Sequence, residues 1–267
     1  MTPDTPQERA ERLHDRALSS PHDRFGERLK TNATAEVLQT RLMQAEVASL
    51  NTTFEHLTES GALPAAAAAL LGARRRYIVG AGKSATYAAL LAADLSAALS
   101  NVFSVDGQSL TELTVLTDVR ATDVLVVFSL RRYRAESVRF GRLFAEAGGT
   151  LVVVTDSADA PLASLASCLV IVQTGSASYA DSPTSVAAVC HVLSALTAAS
   201  AKGARRRLTL RDRISATLGL YHAEPVATDA SAADSDPADK GDRRAGARRS
   251  ATRKHRKHDH QRGNSDR

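Results

Sequence analysis

The sequence predicts an α/β layered fold with a parallel sheet, on three observations. Short runs rich in Val, Ile and Leu alternate with helical stretches between residues 77 and 203. Those runs are apolar at consecutive positions, as strands covered on both faces must be. The core also has to be aliphatic: hydrophobic residues make up 43% of the 267, while aromatics are 4% and Trp is absent. Small branched side chains of this kind suit buried parallel strands and close-packed helices.

The elements follow in order. Residues 5–60 read as helical. QERAERLHDRAL (7–18) is charged and helical, and Ser19-Ser20-Pro21 breaks it. Val37, Leu38, Leu42, Ala45, Leu50, Phe54 and Leu57 then recur near helical spacing. A further helix is expected over 64–71, with Gly72 as its stop. YIVG (77–80) is the first strand, and the apolar helix 84–99 follows it. NVFSVD (101–106) and DVLVVFS (123–129) are the next strands. RAESVRFGRLFAEAG (134–148) is an amphipathic helix stopped by glycine. TLVVVTD (150–156) and CLVIVQT (168–174) complete five strands, separated by a short helix over PLASLAS (161–167) that starts with proline. A long helix spans 183–203. Residues 205–221 add a last one, with Leu208, Ile214 and Leu218 expected on its buried side.

The net charge is +5, but its distribution matters more than its sum. From His222 onward large apolar residues all but vanish. An Ala/Asp/Ser stretch (227–242) gives way to a basic stretch (243–267). Neither buries enough surface to offset the entropy of ordering, so 222–267 is expected to be disordered and solvated. A non-specific, salt-sensitive contact with nucleic acid is the alternative use of the basic end, although it has no aromatics to stack on bases. The polar N-terminus lacks a signal peptide's apolar segment, no stretch is apolar enough to span a bilayer, and we read the protein as cytoplasmic with no membrane partner. Cys168 and Cys190 lie in apolar runs and read as two buried thiols rather than a disulfide or a metal site.

One turn carries chemistry. Gly80-Ala81-Gly82-Lys83-Ser84 lies between the first strand and an apolar helix. Small residues let the backbone approach an anion, and a helix N-terminus offers free N–H groups and partial positive charge. The nucleotide loop G-x-x-x-x-G-K-[ST] would need glycine at position 77, which is Tyr77. The dinucleotide turn G-x-G-x-x-G would need glycine at 85, which is Ala85. What remains suits one phosphate or a polar sugar, with Ser84 as N-cap or direct ligand contact, or else a plain tight turn. A second candidate follows DVLVVFS, the strand expected beside the first. After Ser129 come Arg131, Arg132 and Arg134. Clustered guanidiniums favour an anion through bidentate hydrogen bonds. The alternative is a solvated helix start in which Arg134 pairs with neighbouring carboxylates, yet cations there oppose the helix dipole.

These motifs, with GGTLVVVTD (148–156), PLASLAS and ASYADS (177–182), together resemble a sugar isomerase (SIS) domain over about residues 35–205. Their order resembles the SIS domain of the MurR/RpiR family of bacterial transcription regulators. The resemblance implies a three-layer α/β/α sandwich with a five-stranded parallel sheet in flavodoxin-like order. It implies a phosphosugar or related small anionic sugar derivative as ligand, no cofactor, and a homodimer or higher homo-oligomer. It makes Ser84 the turn serine and Ser129 the first serine of an S-x-S-G-x-T phosphate loop, with Thr155, Ser178 and Ser182 at the other ligand loops. Arg131, Arg132 and Arg134 replace the second serine, the glycine and the threonine, so the ligand is a different anion or the arginines close the pocket. Some regulators of the family have a similar Arg-Arg-Tyr run. Only residues 1–34 precede the match, as a helical extension or linker remnant. The helix-turn-helix domain of such regulators is therefore expected to be missing, whether lost or cut off by a start placed too far downstream.

Aldose–ketose isomerisation needs a tuned base beside the reacting carbons. Glu112, Glu136, Asp181 and His191 are the available acids and histidine, and no two of them form a recognisable pair; His191 lies mid-helix and reads as structural. The sequence therefore reads as a ligand-sensing regulator, with a sugar-phosphate isomerase as the alternative.

Overall fold

A computed structural model describes residues 20–22, 24–25 and 34–222. The helix expected over 7–18 and the basic tail lie outside the described residues. The elements run α1 (Ala35–Ser60), α2 (Ala62–Gly72), β1 (Arg75–Gly80), α3 (Lys83–Ala98), β2 (Val102–Ser104), α4 (Glu112–Thr117), β3 (Asp123–Phe128), α5 (Ala135–Glu146), β4 (Thr150–Thr155), β5 (Cys168–Ile171), α6 (Thr184–Ser200) and α7 (Ala204–Leu218).

The five strands form one parallel sheet in the order β2-β1-β3-β4-β5, the flavodoxin-like order expected. Strand residues alternate between two cores, as the period of two requires. Val124, Val126, Phe128, Val152 and Val154 face one side with Leu91 of α3, Leu70 of α2 and Val189 of α6. Leu125, Val127, Leu151 and Val153 face the other with Val115 of α4 and with Phe140 and Phe144 of α5. Helices thus cover both faces, giving the three-layer sandwich. Both cysteines are buried and free.

At the amino ends of the strands, Arg76 is buried and donates to the carbonyls of Leu70, Leu71 (3.3 Å) and Ser100 (3.1 Å). One guanidinium thus satisfies orphan carbonyls at the end of α2 and just beyond α3. Burial pulls its pKa below the usual arginine value.

Two expectations are corrected, and one helix is added. PLASLAS forms only a 3-10 turn at Ala163–Leu165. The stretch around Glu112 is a helix, α4, whose N-cap Thr111 accepts from the Thr114 N–H at 3.2 Å. Leu208, Ile214 and Leu218 of α7 are exposed, Leu218 by 64%, because only the start of that helix (Ala204) is buried in the body. Along α1, Val37, Met43 and Val47 are exposed, Leu38, Leu42 and Ala45 are half-buried, and only Thr53 and Leu57 are buried. No single helix among the described residues is long and apolar enough to cross a membrane.

Candidate functional site

β1 and β3 are neighbours, and the chain reverses strand order between them. The crevice outside their carboxyl ends is where such sheets hold ligands. The turn after β1 is fixed by its two glycines. A Cβ on Gly80 would meet the Ser84 carbonyl oxygen at 2.3 Å. Gly82, the N-cap of α3, has φ 60° and ψ −129°, a conformation open only to glycine. Lys83 and Ser84 are therefore the first two residues of α3, where the helix dipole favours an anion, although the Ser84 and Ala85 N–H groups already donate to the Ala81 and Gly82 carbonyls at 3.2 and 3.1 Å. Ser84 is not the N-cap. Its half-buried hydroxyl makes no hydrogen bond among the described residues.

The loop after β3 is held by side chains. Tyr133 Oη donates to Asp156 Oδ1 at 2.9 Å, and Arg131 Nε stands 3.3 Å from Asp156 Oδ2. Burial first, then the Asp156 charge, pushes the Tyr133 phenol up to about 12. Arg134 is the N-cap residue of α5 and pairs with Glu136 at 3.2 Å, the solvated arrangement weighed above. Arg132 is exposed, forms no ion pair among the described residues, and has φ 61°. A side chain there takes the left-handed conformation that the glycine of the S-x-S-G-x-T pattern would supply without strain.

Between the two loops lies a cavity of about 420 Å³. Gly82, Lys83, Ser84, Arg131, Arg132, Arg134 and Ser182 line it, so these expected residues come together. Tyr87, Thr174 and Asp181 line it too. Tyr87 follows Lys83 by one helical turn, a spacing that could have marked it. Its phenol is pushed up to about 12, by burial first and then by the negative charge of Asp181. Ser129 and Thr155 are 2% and 0% exposed, do not line the cavity, and have hydroxyls without a hydrogen-bond partner. Ser178 is also outside its lining. The Ser182 hydroxyl is already engaged, donating to the Glu46 carboxylate and accepting from the Thr184 N–H at 3.1 Å.

The cavity is cationic. Among the described residues, Lys83 and three arginines line it against one carboxylate, Asp181, which pairs with Arg24 at 2.6 Å, while Asp156 and Glu136 beside it pair with Arg131 and Arg134. Lys83 Nζ donates to the Asp181 carbonyl oxygen. Gly80 lines a second cavity of about 570 Å³ on the other side of the turn, with Asp106, Glu112 and Glu136. Asp106 Oδ1 accepts from the backbone N–H groups of Gln108, Ser109 and Leu110, which holds its carboxyl down to about 2. His191 is exposed on α6. Among the described residues no group of three or more His, Cys, Asp and Glu is placed to hold a metal ion.

The comparisons bear on the domain and its fold. The SIS-domain family model matches residues 69–200. The sugar isomerase domain of an RpiR transcription factor from Sphaerobacter thermophilus is similar, with 27% identity and a TM-score of 0.61 over 66% of this chain and 98% of that one. The Vibrio vulnificus NanR protein complexed with ManNAc-6P is similar in fold, with 17% identity and a TM-score of 0.58 over 71% of this chain and 72% of that one. A Methanococcus jannaschii protein, for which its structure infers a 3-hexulose-6-phosphate isomerase function, shares the fold at 11% identity and a TM-score of 0.50, over 65% of this chain and 96% of that one. No curated protein matches the chain. With the sheet order, the switch-point cavity and the family match in agreement, residues 69–200 are a SIS domain.

Proposed function

We propose that the cavity between the β1 and β3 loops binds a phosphosugar or similar small anionic sugar derivative, and that the chain is a ligand-sensing regulator of the RpiR type. The observation that carries this is the convergence of the α3 N-terminus, Lys83 and three arginines on one cavity at the switch point. A phosphate there meets the positive end of the α3 dipole, an ammonium and planar guanidiniums, the last two charge-assisted donors. Regulation follows directly or through a partner protein, in the cytoplasm. The exposed apolar side chains of α7 support pairing with a second copy.

Turnover is a poorer fit. An isomerase needs a free base beside two carbons, and the one carboxylate that lines the cavity among the described residues is held by Arg24. The test is a thermal-shift screen of the full chain against phosphosugars, amino-sugar phosphates and nucleotides at fixed ionic strength. A ligand that binds only the folded state raises the melting temperature. A rise with one sugar phosphate, lost in Ser84→Ala and in the Arg131→Ala, Arg132→Ala double variant, is the expected result. No rise with any of them removes the reading.

A further inference from the structure

The N-terminal segment reaches the cavity from outside the SIS domain. Arg24 Nη1 lies 2.6 Å from Asp181 Oδ1, with the two side chains 20% and 32% exposed. Beside this pair, Phe25 packs edge-on against Tyr179 with ring centroids 6.2 Å apart. The loop they grip, 174–182, lines the cavity through Thr174, Asp181 and Ser182. α1 holds the same loop through Ser49, whose hydroxyl donates to the Gly175 carbonyl at 3.1 Å. The loop is thus tied to the body by α1, to the phosphate turn by Lys83 and to the N-terminal segment by Arg24 and Phe25.

We propose that Arg24 and Phe25 form a strap whose docking is coupled to anion occupancy of the cavity. Asp181 is the only carboxylate lining that cavity among the described residues, and unpaired it would repel an entering anion. Arg24 cancels that charge without itself lining the site. Docking of the strap therefore strengthens anion binding. By thermodynamic reciprocity, a bound anion holds the strap down by the same factor. This rests on the anion-binding reading above and adds its regulation.

The test uses the full chain and inorganic phosphate at constant ionic strength. Arg24→Gln is expected to weaken phosphate binding by about fivefold or more, the lower end of allosteric couplings. Asp181→Asn is expected not to weaken it. In the double variant the Arg24 effect is expected to vanish, because there is no charge left to cancel. The chain has no Trp, so Phe25→Trp provides a single reporter whose emission shifts to the blue as phosphate fills the site. An Arg24→Gln effect equal in both backgrounds, or no effect in either, overturns the coupling, as does a silent reporter under saturating phosphate. If the unmodified chain binds no phosphate, the anion-site reading falls and the coupling falls with it. Amide exchange then judges the strap alone: faster exchange over 174–182 in Arg24→Gln keeps it as a loop clamp, and unchanged exchange removes it.

Discussion

The turns after β1 and β3 stand side by side at one end of the sheet, yet they are built on opposite principles. The first is shaped by absence of side chains. Gly80 leaves room for the Ser84 carbonyl, and Gly82 adopts a φ that other residues avoid. The second is shaped by side chains acting against backbone preference. Arg132 occupies a glycine-like conformation, Arg134 puts a cation at a helix N-terminus, and Tyr133 with Arg131 holds the loop to Asp156. One cavity is thus bounded by a loop set by its backbone and a loop set by its side chains. Ser129 and Thr155 then sit buried with unpaired hydroxyls.

The comparison breaks most sharply at Gly80. Gly80→Ala puts a methyl group against a backbone oxygen that cannot move without shifting α3, and is expected to destabilise by about 3 kcal/mol in urea unfolding. A loss near zero would mean that the first turn is not governed by its backbone. Tyr133→Phe removes the phenol's bond to the nearly buried Asp156 and is expected to lower stability by about 1–2 kcal/mol. An unchanged midpoint would show that side chains do not hold the second loop. Arg132→Gly is the smallest effect and has the opposite sign. Relief of left-handed strain, less the entropy of the added glycine, is expected to raise stability by about 0.5–1 kcal/mol. The same change is expected to weaken anion binding in the thermal-shift screen, so stability and affinity part company at one residue.

The first turn was the legible one. Its Gly-x-Gly-Lys-Ser spacing excluded nucleotide loops by counting alone, and the alternation of apolar runs led to the parallel sheet. The second loop was legible in composition but not in geometry: nothing in LRRYR foretold that Tyr133 and Arg131 converge on Asp156. α4 was readable from Thr111 and Glu112 as a helix start, but its six residues are too short for a periodic signal. The exposed face of α7 shows the limit of periodicity. Leu208, Ile214 and Leu218 recur as a core-facing stripe should, and a stripe says only that something apolar belongs against it. The Arg24–Asp181 pair, separated by 157 positions, had no local signature at all.

The anchoring of Arg76 at the far end of the strands has a consequence for how such a domain changes over time. Its contacts with Leu70, Leu71 and Ser100 knit helix ends together at the rim remote from the ligand. The two rims of the sheet are thus secured by different residues: Arg76 at the amino ends, and Gly80 with the Tyr133–Asp156 bond at the carboxyl ends. A change confined to the loop after β3 leaves the Arg76 contacts untouched, so the bracing of one rim outlasts alteration of the other.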